Sequence, residues 1–299
     1  MALTQRIALI GFGEVGRIFA EELKAKGAMR LAAFDPLFAQ AGSKQGLAAA
    51  SAGVEVCTSA EAAARGARLI ISAVTAAQAL AAARSVLGGL AEGAFFLDVN
   101  SASPGIKISA GRAVDASGGR YVEAAVMTSV PPKGLKSPML LGGPHAADFL
   151  AFAEPVGLDA RVFSEELGLA SATKMCRSVM IKGVEALLAE CLLTARRYGV
   201  ESTVLGSLSD MIPNPDWERL ARYMLSRSLI HGRRRAEEMR EVARTVDEAG
   251  IEPLMSTAAA ARQDWAYAMA QELPAGVVDE ADLGVLLDAI RGLIEADAT

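Results

Sequence analysis

Cysteine, histidine and aromatic residues are scarce in this chain of 299 residues. The three cysteines, Cys57, Cys176 and Cys191, are odd in number and show no ligand spacing. Neither a disulfide framework nor a thiolate metal site is therefore expected, and they read as reduced thiols of a cytoplasmic protein. Two histidines, His145 and His231, are too few for a histidine-rich metal centre. No uncharged apolar run reaches the length of about 18 residues that a membrane span needs. The first apolar run starts at Ile7, which leaves no room for a signal peptide ahead of it. Lys and Arg number 30 against 35 Asp and Glu, a net charge of −5 that argues against nucleic acid as a partner. What remains is a globular composition, 52% hydrophobic and 22% charged, with length enough for two domains.

The chain opens on Ile7-Ala8-Leu9-Ile10-Gly11-Phe12-Gly13-Glu14-Val15-Gly16, four apolar residues running into G-x-G-x-x-G. Arg17 to Leu23 continue at helical spacing, so the segment reads as strand, tight turn and helix. In this motif the first glycine permits the turn. The second lets backbone approach a pyrophosphate, and the third lets helix and strand pack closely. The helix N-terminus then presents N–H groups and a positive dipole end to the phosphates. Arg30 to Phe34 reads as a second strand, and Asp35 ends it, placing a carboxylate where it can accept the ribose hydroxyls of an adenosine.

Further strands are expected at Val54–Cys57, Arg68–Val74, Ala94–Val99, Tyr121–Val126 and Pro138–Leu141, with Ala-rich helices such as Ala76–Leu87 between them. These are continuous apolar runs, the pattern of a parallel sheet covered on both faces. The expected fold is α/β, a doubly wound, mostly parallel sheet over 1–165, followed by an all-α domain over 166–299. In the second half the helical signals are Leu169–Tyr198, Glu201–Met211, Asp216–Gly250, Pro253–Ala270 and Glu280–Ala296, with a break at Pro213-Asn214-Pro215.

The helix that opens the second half carries Lys174, Arg177, Ser178, Ile181 and Glu185 on one stripe at about 100° per residue. Met175, Cys176, Val179, Met180, Val184, Leu187 and Leu188 occupy its other faces, so the helix is expected to be buried and Cys176 to lie in the core. Two readings of Lys174 stand here. One is a desolvated amine that exchanges protons with a substrate; the other is a structural lysine paired with a carboxylate such as Glu185. Thr75 and Gln78 follow the fourth strand, either bordering the cofactor with Val74 or, for Thr75, capping a helix.

The motifs resemble the β-hydroxyacid dehydrogenases, which include 3-hydroxyisobutyrate and 6-phosphogluconate dehydrogenases. Ile7 to Gly16 looks like that family's dinucleotide fingerprint. Asp98-Val99-Asn100-Ser101-Ala102-Ser103-Pro104 resembles its D-x-S-T-x-x-P segment beside the nicotinamide. Gly134 to Gly143 resembles its G-x-L-x-x-x-x-G-G region, and Gly168 to Lys174 the segment carrying the catalytic lysine. The resemblance implies a Rossmann domain, a long interdomain helix and a helical domain that dimerises. It implies Lys174 as general acid/base, Ser178 orienting the substrate hydroxyl, and Asn100 and Ser101 positioning cofactor and substrate.

Departures from the family are equally specific. Its carboxylate-binding D-A-P-V-S-G-G is here Glu123-Ala124-Ala125-Val126-Met127-Thr128-Ser129, without the two glycines. Met127, Thr128 and Ser129 then stand in the substrate position, with the two hydroxyls as replacement donors or as ordinary turn residues. The family's Asn after the lysine is Ser178. Ile181 stands where the phosphogluconate branch has the Glu of decarboxylation. The helical half resembles a branch whose C-terminal domain has no known function. There His231, Arg234, Arg235 and Glu238 share a helix face that either binds an anionic substrate or is a solvated or subunit-interface face; Arg177, on the lysine stripe, is a further substrate-binding candidate.

Asp35 followed by Pro36 favours NAD over NADP, since a carboxylate repels a 2′-phosphate; Ser43 and Lys44 are the neighbouring groups that would suit one. The expected activity is hydride transfer between NAD(P) and a small anionic hydroxy acid or its oxo form, with no metal. A same-fold oxidoisomerase or imine reductase, or a non-catalytic dinucleotide-binding protein, are the alternatives.

Overall fold

The computed structural model describes residues 4–28, 30–208, 216–279 and 282–297. The expected break at Pro213-Asn214-Pro215 and the helix ends expected at Met211 and Glu280 lie outside these residues. The chain forms two compact units, Met1–Met175 and Cys176–Thr299. The division falls inside the lysine helix.

Among the described residues of the first unit, eight strands form one sheet. They are β1 (Arg6–Ile10), β2 (Arg30–Phe34), β3 (Glu55–Val56), β4 (Leu69–Ser72), β5 (Phe95–Asp98), β6 (Arg120–Val126), β7 (Met139–Gly142) and β8 (Ala160–Ser164). Their order is β3-β2-β1-β4-β5-β6-β7-β8, so the direction of winding reverses between β1 and β4. Ligands of such sheets bind at that reversal, beyond the strands' carboxyl ends. Every pairing is parallel except β6 with β7, which bears out the mostly parallel sheet. The helices are α1 (Glu14–Ala25), α2 (Lys44–Ser51), α3 (Ala60–Ala64), α4 (Ala79–Ser85), α5 (Pro104–Ala116) and α6 (Ala146–Phe152).

Successive strand residues face opposite sides, and each side has its own apolar layer. Ile7, Leu9, Leu69, Ile71, Phe95 and Leu97 pack on one face with Phe19 and Leu23 of α1 and Phe149 of α6. Ala8, Ile10, Ile70 and Phe96 pack on the other with Ala63 of α3, Ala83 of α4 and Ala110 of α5. β8 has no counterpart in the sequence reading. It is an edge strand whose Arg161, Val162 and Phe163 are exposed, so it lacks the buried apolar run by which its neighbours are recognised.

α7 (Leu169–Tyr198) runs across the division. The second unit continues with α8 (Glu201–Leu208), α9 (Trp217–Glu248), α10 (Leu254–Glu272) and α11 (Leu283–Asp297). Its core gathers Leu188 and Leu192 of α7, Leu225 and Leu229 of α9, Ala266 of α10 and Leu286, Leu287 and Ile290 of α11. No helix among the described residues is long and apolar enough to cross a membrane.

Candidate active site

Each glycine of the fingerprint has its own geometric reason. Gly11 has φ +91°, and a Cβ there would lie 2.3 Å from the Ala73 carbonyl oxygen. A Cβ on Gly16 would lie 2.2 Å from the Gly11 oxygen, so this glycine sets how closely α1 approaches β1. A Cβ on Gly13 would meet nothing within 4 Å. Gly13 is also the N-cap of α1 and offers no side-chain oxygen to its first turn. Open space at the positive end of a helix suits a pyrophosphate. Glu14 is exposed and Val15 half-buried beside it, while Phe12 turns its ring inward onto Phe38.

Asp35 is held before any ligand arrives. Its Oδ2 accepts from the Phe12 N–H at 2.8 Å and its Oδ1 from the Leu37 N–H at 2.9 Å. A carboxylate has about four acceptor positions, so capacity remains for ribose hydroxyls. Thr75 and Gln78 are exposed after β4, and the Thr75 hydroxyl makes no capping bond. Asn100 is buried. Its Oδ1 accepts from the Val74 N–H at 2.6 Å and its Nδ2 donates to Ser72 Oγ at 2.9 Å, which ties the loop after β5 to the end of β4.

Beside Asn100, Ser101 Oγ receives a hydrogen bond from Lys174 Nζ at 2.6 Å. The structure therefore brings together the residues that the motifs put after β5 and on the lysine helix. Lys174 pairs here with a hydroxyl; Glu185, the alternative partner weighed from the sequence, is bound to Arg235 instead. Met127 is half-buried and Thr128 and Ser129 are exposed beyond β6, with Thr128 Oγ1 donating to the Ser129 carbonyl at 3.2 Å.

Three functional candidates escaped sequence reasoning, all buried beneath this pair. Lys107 Nζ lies 2.8 Å from Asp98 Oδ1, and the Tyr121 hydroxyl donates to Asp98 Oδ2 at 2.7 Å. Burial, then the Asp98 charge, pushes the Tyr121 phenol well above its ordinary range. Glu123 accepts the N–H groups of Gly168 and Ser171 at the start of α7. For Lys107 a signal existed: it shares a buried stripe with Ala110, Gly111 and Val114, where a charge demands a partner.

The model of the NAD binding domain of 6-phosphogluconate dehydrogenase matches residues 6–148, and that of a domain of unknown function, DUF1932, matches 195–266. A conserved hypothetical protein from Sinorhizobium meliloti is 38% identical in its crystal structure, with 96% of this chain and 97% of that one covered and a TM-score of 0.75. A conserved protein of unknown function, described as structurally similar to 3-hydroxyacid dehydrogenases, is 34% identical, with 89% and 98% covered and a TM-score of 0.68. The chain belongs to the 3-hydroxyacid dehydrogenase-like family. The 3-hydroxyisobutyrate dehydrogenase of Mycobacterium tuberculosis, solved with L-serine, shares the fold at 19% identity, with 97% and 99% covered and a TM-score of 0.68.

In the helical unit of this 3-hydroxyacid dehydrogenase-like protein, Ser178 is buried and its Oγ accepts from Lys182 Nζ at 3.4 Å. Lys182 also lies 2.7 Å from Glu238 Oε2. Arg235 is buried in an ion pair with Glu185, so it is not part of an open basic face with Arg234. Burial pushes the Glu185 carboxyl up against the pull of Arg235 and Lys182, and burial together with Arg235 lowers the Arg227 guanidinium. Arg177 is exposed and His231 half-buried. Cys176 is exposed rather than in the core. α7 is not wrapped on all its apolar faces, since Met180 and Leu187 are 65% and 57% exposed.

Proposed function

We propose that this protein is an NAD(P)-dependent oxidoreductase that moves hydride between the nicotinamide and a small anionic hydroxy acid or its oxo form. The observation that carries the proposal is the 2.6 Å contact of Lys174 Nζ with Ser101 Oγ beside the dinucleotide cradle. The cradle fits the cofactor: Gly13 and the α1 N-terminus for the pyrophosphate, Asp35 for the adenosine ribose, Val74 to Gln78 along its edge. The cofactor supplies a hydride acceptor or donor at the nicotinamide ring. Lys174, as the neutral amine, takes the substrate hydroxyl proton during oxidation; as the ammonium it returns that proton to the oxo form. Ser101 orients the amine and offers a hydroxyl to the substrate oxygen. In the M. tuberculosis relative L-serine, a β-hydroxy acid, is the bound molecule; substrates of that class head the list to test.

NAD is the preferred cofactor in this reading. Ser43 Oγ is already committed to capping α2 through the Gly46 N–H at 3.2 Å, and a carboxylate at Asp35 would repel a 2′-phosphate. Arg177, Ser178 and His231 are proposed as substrate-binding residues on the family resemblance alone. The helical unit also supplies the surface for a homodimer.

The test is a panel of hydroxy acids, aldonates and oxo acids followed by NADH absorbance, with NADPH in parallel. Lys174→Ala is expected to cut turnover by about 10²–10⁴-fold while NADH affinity stays as in the wild type. Undiminished turnover in that variant overturns the role of Lys174. NADH binding with no hydride transfer to any panel member favours the dinucleotide-binding alternative.

A further inference from the structure

Asp98, at the end of β5, and Glu123, in β6, are partners in the parallel register, and both are 0% exposed. Parallel-sheet partners point to the same face with their strands about 4.8 Å apart, so two carboxylates lie side by side in the interior. Such an arrangement is costly for stability, and the bonds around each carboxylate show what it holds. Asp98 Oδ1 accepts from the Asn100 N–H at 2.9 Å and from Lys107 Nζ, while its Oδ2 takes the Tyr121 hydroxyl. Lys107 Nζ also donates to the Asp98 carbonyl at 3.0 Å. Asp98 thereby clamps the loop that carries Ser101. Glu123 Oε2 accepts from the Gly168 N–H at 2.6 Å and Oε1 from the Ser171 N–H at 2.9 Å. Glu123 thereby clamps the first turn of α7, one turn ahead of Lys174, and sits at the positive end of that helix. Space for it comes from Gly142 on β7, where a Cβ would lie 2.9 Å from Glu123 Cγ.

We propose that Asp98 and Glu123 are paired positioning residues, one under each member of the Lys174–Ser101 pair, so that the spacing of β5 and β6 sets the distance between amine and hydroxyl. The inference rests on the proposed role of Lys174, but its geometric content is testable without turnover. Charge-assisted bonds from both carboxylate oxygens fix direction as well as distance. In Glu123→Gln one of the two amide acceptors becomes a donor facing a backbone N–H. In Asp98→Asn with Lys107→Met both buried charges leave together, so no unpaired ion remains to unfold the chain.

The experiment compares wild type, Glu123→Gln, Glu123→Asp, the Asp98→Asn/Lys107→Met double variant and Glu22→Gln. Glu22 is the control, a carboxylate that accepts a backbone N–H, that of Leu135 at 2.8 Å, in the same unit. With NADH bound, acylation of Lys174 by acetic anhydride at one pH is followed by mass spectrometry. NADH affinity, melting temperature and, where the panel yields a substrate, kcat and KM are measured alongside. Acylation of Lys174 is expected to rise several-fold in Glu123→Gln and in the double variant, with NADH affinity unchanged and kcat about 10²-fold lower, as for a misplacement near 1 Å. Glu123→Asp, which keeps both acceptors, is expected to recover part of the loss. Equal acylation in wild type and Glu123→Gln, or an equal rise in Glu22→Gln, overturns the proposal. If acylation rises as expected while Lys174→Ala turns over like wild type, the positioning stands and the acid/base role of Lys174 falls.

Discussion

Tyr121 shows how much a single buried hydroxyl carries. It donates to Asp98, which in turn holds the Asn100 amide. Tyr121→Phe leaves one oxygen of a buried carboxylate without that donor, at a cost of about 1–3 kcal/mol near neutral pH. The pH dependence has a definite sign. The folded phenol is held protonated well above its ordinary value, whereas the unfolded one titrates at the ordinary phenol value of about 10. Above that pH the unfolded chain loses a proton that the folded chain keeps, so stability falls as pH rises, by about 1.4 kcal/mol per unit. Urea melts of wild type and Tyr121→Phe between pH 8 and 11 are therefore expected to converge at the alkaline end; parallel curves contradict this. From sequence, Tyr121 was only a residue of an apolar strand, and Lys107 stood in no motif. Their roles come from Asp98, which neither adjoins in the chain.

At the scale of elements, β1 and α1 were legible because the G-x-G-x-x-G spacing encodes local sterics. That gives a contrast between two glycines three residues apart. A Cβ on Gly16 collides with the Gly11 carbonyl, so Gly16→Ala is expected to cost about 1–3 kcal/mol and to raise the NADH dissociation constant. A Cβ on Gly13 meets no protein atom. Gly13→Ala is therefore expected to melt within about 0.5 kcal/mol of wild type and yet to bind NADH at least about 10-fold more weakly, because the methyl group occupies pyrophosphate space. Thermal melts and fluorescence titration of NADH separate the two; unaltered NADH affinity in Gly13→Ala counts against the cradle. The lysine helix was also legible, with the bounds Leu169–Tyr198, since 30 residues of helical spacing leave little ambiguity. β8 was not, because an exposed edge strand need not be apolar. The direction of β7 was not either, because an apolar run reads the same parallel or antiparallel.

For the whole molecule, the apolar residues left outside the core carry the argument. Met180, Ile181 and Leu187 on α7 and Tyr223 and Ile230 on α9 are exposed in the single chain. Large apolar side chains left exposed on two helices point to an interface. Sedimentation is expected to give a dimer of the 31.1 kDa chain, and Met180→Asp with Leu187→Asp to give a folded monomer. A wild-type monomer sinks the dimer reading. By itself the sequence determined the class of fold, the dinucleotide cradle, the boundaries of most long elements and the lysine helix, because each depends on spacing within a few turns of chain. Only the tertiary structure decided that Lys174 meets Ser101 rather than Glu185, that Arg235 is consumed by an internal ion pair, and that Asp98 and Glu123 lie side by side. Those contacts join residues tens of positions apart, and their partners are set by strand register and helix packing, on which the order of residues along the chain is silent.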